Sequence, residues 1–361
     1  MKREGRGRLS PLYDPGKSLV VTGGGTGGHV IPAIEIARAH QRLSSSPVLY
    51  VGTPGSLEER LAARANLPFA AVRAGGVVGK SLLGKLAGGA SILQGVGGAI
   101  RMLRRFRPGL VVGTGGYVQV PVIVAAGLLR IPALLVEPNR VAGLANKVLA
   151  PFVSRVVYGW ERGGGIPLAP DVRGPEPDAN RFERMPLRLL IMGGSQGAQM
   201  LNERLPEVVA LAVRRLEGRP VEIIHQCGER WLDATKNRYQ QLGLAVRVEG
   251  FLPEISKLFR EQSLVIARAG AMTVAEITAS GTPAIYIPFP HSAGGHQQEN
   301  AREVERTGGG WCWEESSLME KENRGQELAG LLSAGTYLYE RGQKAWEHSP
   351  GISASEWLTR Q

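Results

Sequence analysis

An apolar run, a glycine-rich turn and a helix-like run follow one another at residues 18–42, and the same succession restarts at residue 187. The first copy reads SLVVTGGGTGGHVIPAIEIARAHQR, with five glycines in the six positions 23–28 and then His29. The second reads LRLLIMGGSQGAQMLN. Further apolar runs bounded by Gly or Pro follow each copy: PVLYVG, FAAV, LVVG, ALLV and SRVVYG in the first half, and VEIIHQ, AVRVEG, LVIARAG and PAIYIPF in the second. Unbroken runs of this kind are strands buried on both faces of a parallel sheet, with helices between them, such as 31–42, 118–129 and 198–216. The fold class expected is α/β, with two doubly wound, Rossmann-like domains facing a cleft. Residues 161–186 are rich in Gly, Pro and charge and lack periodicity, which predicts a linker. The divisions that follow are 1–165 for the first domain, 166–186 for the linker and 187–335 for the second domain. An amphipathic, helical C-terminal segment, 336–361, is expected to pack back on the first domain.

Composition narrows the function. Cys227 and Cys312 are the only cysteines and stand in no CxxC pattern, so neither a disulfide framework nor a zinc site is encoded and a reducing compartment fits. The basic N-terminus has no apolar core and does not read as a signal peptide. The chain has no run of eighteen apolar residues. Net charge is +11, and no Asp or Glu lies between Glu59 and Glu137, a stretch with ten Lys and Arg residues. Such a one-signed surface suits an anionic partner. Nucleic acid is not expected, because aromatic residues make up only 6% and do not interleave with the charge.

Each glycine turn opens onto a helix start, where unpaired N–H groups and the helix dipole favour an anion and a bare backbone lets it approach. Gly23, Gly25 and Gly28 also satisfy the dinucleotide spacing GxGxxG, but the acid expected after the second strand is replaced by Gly52 and Thr53, which argues against NAD. A third glycine stretch, GTGGYVQVP at 113–121, again follows a strand. His29, at the presumed ligand edge, is a candidate general base.

Taken together, GGTGGHVIPA, GTGGYVQVP, EPNRVAGLANK, MGGSQGAQMLN, HQCG, RAGAMTVAEI and HQQENA resemble the MurG family, in the family's order and over roughly residues 18–310. The resemblance implies the GT-B glycosyltransferase fold, with the acceptor on the N-terminal half and the nucleotide sugar on the C-terminal half. It implies inverting transfer of GlcNAc from UDP-GlcNAc to the 4-hydroxyl of MurNAc in an undecaprenyl-pyrophosphoryl acceptor, for peptidoglycan synthesis. By match to the family's motifs, His29 is the base, and Thr26, Gly27, Gly28, Gly115, Gly116 and Tyr117 lie at the acceptor. Asn139, Ser195, Gln196, Phe251, Met272, Thr273, Glu276, Gln297 and Gln298 would hold the donor, with Glu276 on the ribose hydroxyls and Phe251 against the uracil. No cofactor or metal is expected, since no Asp-x-Asp pair occurs and helix N-termini can bear the charge of the leaving diphosphate.

Three departures mark this chain. Val136-Glu137-Pro138-Asn139 stands where the family has His-Glu-Gln-Asn. Ala169 replaces an arginine that holds the nucleotide, with Arg173 as a candidate substitute, and Gly295 replaces an acid. Other readings left open are a related lipid glycosyltransferase, a UDP-sugar epimerase and a non-catalytic UDP-sugar-binding protein. VVGKSLLGKLAGG, residues 77–89, sets Leu82, Leu83 and Leu86 near Lys80 and Lys85, a pattern suited to anionic lipid. The resemblance implies an acceptor anchored in the bilayer, so the expected location is peripheral, on the cytoplasmic face of the inner membrane.

Overall fold

A computed structural model describes residues 11–74, 82–194, 196–253 and 255–361, without the side chains of residues 82–91 and 293. The expected lipid-facing stretch 77–89 and the donor candidate Ser195 therefore lie outside the described residues, apart from the helical backbone from Leu82 on.

The chain forms two units, one of residues 1–138, 142–170 and 352–361 and one of residues 139–141 and 171–351. In the first unit the elements are β1 (Leu19–Thr22), α1 (Gly27–Leu43), β2 (Val48–Gly52), α2 (Leu57–Arg64), β3 (Phe69–Ala71), α3 (Leu82–Phe106), β4 (Leu110–Gly113), α4 (Gln119–Leu128), β5 (Ala133–Glu137), α5 (Leu144–Leu149), β6 (Arg155–Tyr158) and β7 (Ile166–Leu168). β1 to β6 make an all-parallel sheet in the order β3-β2-β1-β4-β5-β6.

The second unit carries α6 (Asn180–Glu183), β8 (Leu187–Met192), α7 (Gln199–Arg215), β9 (Val221–Gln226), α8 (Leu232–Gln241), β10 (Arg247–Glu249), α9 (Ile255–Phe259), β11 (Leu264–Ala267), α10 (Ala271–Ala279), β12 (Ala284–Tyr286), α11 (His296–Arg306), β13 (Gly310–Cys312), α12 (Lys321–Ser333) and α13 (Gly335–Glu347). Its parallel sheet runs β10-β9-β8-β11-β12-β13, the same winding. β14 (Gly351–Ser353) and α14 (Ala354–Thr359) complete the chain. Both units are doubly wound, as the repeated pattern predicts.

The central strands are buried on both faces because each is almost wholly apolar: LVVT, LVVG and LVIA have no exposed residue. Each fully buried Leu, Ile or Val contributes about 1.5–3 kcal/mol of apolar burial, so these short strands hold firmly. In each sheet the winding reverses between two adjacent strands, β1 beside β4 and β8 beside β11. Loops leaving the carboxyl ends of such a pair diverge and open a crevice. All three glycine turns lie at these two places.

Three segments differ from expectation. The stretch 161–186 is not an unpatterned linker: Ile166–Leu168 is a buried strand paired with β14, and Phe182 is fully buried on α6. Residues 336–361 are not one helical segment, because Pro350 cannot continue a helix and the chain turns there into β14 before α14. Residues 352–361 belong to the first unit, where the buried Trp357 joins the core of α1 and Tyr13. β13 carries no strand signal in the sequence, being three residues, GWC, after a glycine run.

Candidate active site

In the first unit the loops after β1 and β4 interlock. The Gly24 N–H donates to the Gly115 carbonyl at 3.3 Å, the Thr114 hydroxyl donates to the His29 carbonyl at 2.6 Å, and the Tyr50 hydroxyl donates to the Gly23 carbonyl at 2.7 Å. A Cβ on Gly24 would stand 2.7 Å from Val118 and 2.8 Å from the Glu58 carboxyl, so this glycine is needed for loop packing. Gly27 and Gly28 differ: a Cβ there meets nothing closer than 3.7 Å, and both lie in the first turn of α1 with Thr26 exposed before them. This helix starts four residues earlier than the sequence pattern predicts, and His29 sits inside its first turn rather than ahead of it.

The His29 ring is half-buried over Gly115 and Gly116, whose φ values of +121° and +79° favour glycine. Its Nδ1 lies 3.2 Å from the Gly24 carbonyl oxygen and 3.4 Å from Thr26 Oγ1. A carbonyl only accepts, so Nδ1 carries the hydrogen there and the neutral ring keeps its lone pair on Nε2. That is the tautomer of a base acting through Nε2. Tyr117 is 43% exposed beside these loops.

A buried polar layer supports them. Gln119 accepts from the Gly115 N–H at 2.9 Å and donates to Asn146 Oδ1 at 2.7 Å; Asn146 in turn donates to the Glu137 carboxylate at 3.0 Å. Glu137 also accepts from the Gly143 N–H. Glu58 accepts from the Thr53 hydroxyl at 2.6 Å and the Thr53 N–H at 3.2 Å. Burial pushes the Glu58 carboxyl up, but these bonds, with those of its own backbone and Ser56, outweigh burial and hold it below the ordinary range. Sequence reasoning missed Gln119, Asn146 and Glu58 as site supports, because their partners are set by the sheet winding and not by spacing.

In the second unit a cavity of about 590 Å³ opens at the β8/β11 reversal. Three helix starts contribute to its wall: Ala198 and Gln199 of α7, Gly270 and Thr273 of α10, and Gln297 of α11. First-turn N–H groups have no partner within their own helix, and the three dipoles sum to a positive field suited to a diphosphate. Arg268 adds a formal charge. It is 9% exposed, donates through Nη1 to the carbonyls of Ile287 and Pro288, and pairs through Nη2 with the Glu315 carboxylate. Arg268 and Glu315 both line the cavity, and sequence reasoning had named neither.

Of the donor candidates, Thr273 and Gln297 line the cavity, and the Gln297 side-chain oxygen accepts from the Phe289 N–H at 2.9 Å. Glu276 is half-buried one turn further along α10. Met272 is 7% exposed and packs inward, since neighbours on a helix point about 100° apart and Thr273 takes the cavity side. Phe251 is 57% exposed and is not among the lining residues. The Gln298 amide donates to Glu314 at 2.9 Å, and Gln298 is not among the lining residues. Gln196 is exposed on the glycine loop, and Asn139 accepts from the Asn300 amide at 3.3 Å. Arg173 is committed elsewhere: it donates to the carbonyls of Gly351 and Trp346 and lies 4.7 Å from the Trp346 ring centroid. Gly294 and Gly295 hold φ values of +61° and +69° ahead of α11, a backbone that an acid at 295 would adopt only with strain. Among the described residues no helix is long and apolar enough to cross a membrane.

Comparison with known proteins matches this arrangement. The glycosyltransferase family 28 N-terminal domain model matches residues 19–158, and the family 28 C-terminal domain model matches residues 188–350. A protein of Alkalilimnicola ehrlichii named UDP-N-acetylglucosamine--N-acetylmuramyl-(pentapeptide) pyrophosphoryl-undecaprenol N-acetylglucosamine transferase is 40% identical over 310 residues, covering 83% of this chain and 86% of that protein. One of the same name from Azoarcus sp. (strain BH72) is 38% identical over 326 residues, covering 88% and 89%. The crystal structure of Acinetobacter baumannii MurG superposes with a TM-score of 0.80 at 31% identity, over 95% of this chain and 98% of that one. With both domain models matched in order and full-length relatives at this identity, the chain belongs to the MurG family of glycosyltransferases.

Proposed function

We propose that this protein transfers N-acetylglucosamine from UDP-N-acetylglucosamine to N-acetylmuramyl-(pentapeptide) pyrophosphoryl-undecaprenol, the reaction that forms the disaccharide lipid of peptidoglycan synthesis. The observation that carries the reading is the second unit's cavity, where three helix starts turn their N–H groups and positive dipole ends, beside the Arg268–Glu315 pair, onto one space of nucleotide size. The leaving group of the transfer is a diphosphate, and stabilising its growing charge is the main electrostatic task. In this reading Gln196, Thr273 and the helix starts take the diphosphate. Glu276 takes the ribose hydroxyls, for which a carboxylate is a good acceptor. Gln297 reads the sugar. His29 removes the proton of the attacking acceptor hydroxyl through Nε2, with Thr26, Gly27 and Gly28 at the acceptor diphosphate.

A membrane-borne acceptor requires contact with lipid, and exposed apolar side chains of the first unit support that part of the reading. Leu128, Leu144, Val148 and Phe152 are each 43–65% exposed, on α4, α5 and the turn after α5, which touch one another. Arg130 and Lys147 lie beside them and are exposed. Apolar side chains flanked by cations suit an anionic leaflet, and the protein works there as a peripheral enzyme of the cytoplasmic face.

The test is turnover of labelled UDP-N-acetylglucosamine with the polyprenyl-pyrophosphoryl-MurNAc-pentapeptide acceptor in lipid vesicles. Disaccharide lipid is the expected product. Donor breakdown that needs no acceptor, or tight UDP binding with no product, would overturn the reading. Two variants probe its parts. Gly115→Ala would set a Cβ 2.8 Å from His29 Nε2, at a φ that alanine resists, so kcat falls about 10²-fold through displacement of the ring while UDP affinity holds. Glu276→Ala raises the donor KM about tenfold with a smaller change in kcat, because the ribose contact is made in ground and transition states alike. An unchanged KM would remove Glu276 from the ribose.

A further inference from the structure

Beneath the second glycine loop lies a chain of buried neutral groups that the proposed chemistry does not use. The Tyr239 hydroxyl is 2.9 Å from His225 Nδ1, His225 Nε2 is 3.1 Å from Asn202 Oδ1, and the Asn202 amide donates to the Cys227 carbonyl at 2.9 Å. All four residues are at most 3% exposed. The direction of every bond is forced from one end. The Cys227 carbonyl only accepts, so the amide nitrogen of Asn202 faces it and the amide oxygen faces His225. His225 must then donate from Nε2, which leaves Nδ1 to accept from Tyr239. Burial lowers the His225 pKa to about 3, so the ring stays neutral and the chain of bonds is intact at working pH.

The end of this chain touches the cavity wall. A Cβ on Gly197 would overlap the Cys227 carbonyl, and one on Gly228 would lie 2.6 Å from the carbonyl carbon of Gln196. Gly197 and Gly228 both hold positive φ, +74° and +86°. The Gly193 N–H donates to the Gln226 carbonyl at 3.4 Å. The turn 226–228 is thus a shelf on which the loop bearing Gly193, Gly194, Gly197 and Ala198 rests, and that loop lines the cavity. Asn202 stands one turn inside α7, whose start forms part of the same wall.

We propose that Asn202 and His225 are positioning residues for the phosphate-facing loop: their buried bonds fix the Cys227 carbonyl, and through it the seat of Gly197 at the nucleotide diphosphate. The proposal rests on the reading of the cavity as the UDP site. It predicts a loss confined to the phosphate end of the ligand. Asn202→Ala should bind UDP about tenfold more weakly, the size of one lost hydrogen bond, with uridine binding within twofold of the parent. UDP is followed by calorimetry and uridine by ligand-observed NMR, with melting checked in parallel.

If Asn202→Ala does not fold, the His225 pair decides. His225→Gln can still donate an amide hydrogen toward Asn202 and should keep UDP affinity, whereas His225→Leu, similar in bulk and without a donor, should lose it. Equal weakening of UDP and uridine, or equal UDP affinity in His225→Gln and His225→Leu, would overturn the positioning role. Absence of UDP binding by the parent protein would instead overturn the reading of the cavity.

Discussion

His29→Ala lowers kcat about 10²- to 10⁴-fold, the range for loss of a positioned general base, and leaves UDP affinity unchanged. The split follows from where the groups lie. His29 is held by the first unit, on the first turn of α1, with Nδ1 spent on the Gly24 carbonyl. The cavity read as the UDP site is built wholly from the second unit. A base acts on the proton of the acceptor hydroxyl and so contributes only as the bond to the anomeric carbon forms. Its removal therefore appears in kcat and not in donor KM. The half-buried ring leaves no large void, so the variant should melt close to the parent. His29→Ala with parental turnover would strip the residue of this role, and a rise in donor KM alone would place it at the donor instead.

The fold was legible wherever local chemistry decides structure. Runs such as LVVT, LVVG and LVIA became β1, β4 and β11 because each is apolar enough to be buried by helices on both sides, whatever lies elsewhere in the chain. The glycine turns were legible for a related reason: a backbone with φ near +80° at Gly116 or Gly228 is one that glycine adopts without strain. What escaped notice depends on partners distant in sequence. β7 is a strand because β14, nearly two hundred residues later, supplies its other edge. Met272 and Thr273 share a motif, yet only the packing of α10 on its sheet decides which faces the cavity. Gln119 with Asn146, and Asn202 with His225, are joined by the winding of strands, and no spacing along the chain announces them.

Arg268 with Glu315 is the sharpest instance of such a distant pair, and it carries the second large prediction. Arg268→Ala removes the cation paired with a nearly buried carboxylate, since the two side chains are 11% and 13% exposed, and it also deprives the carbonyls of Ile287 and Pro288 of a donor. Breaking such a pair from one side costs about 3–5 kcal/mol of stability, measured by urea unfolding. UDP affinity falls as well, because the cavity loses a formal positive charge. Stability and binding can then be separated. Arg268→Met combined with Glu315→Leu removes both charges and fills similar volume, so stability should return close to the parent. UDP binding should remain weak, because no cation has been restored. Parental UDP affinity in the double variant would mean that the guanidinium only braces the β11 and β12 ends, and that the three helix starts bear the diphosphate charge without it.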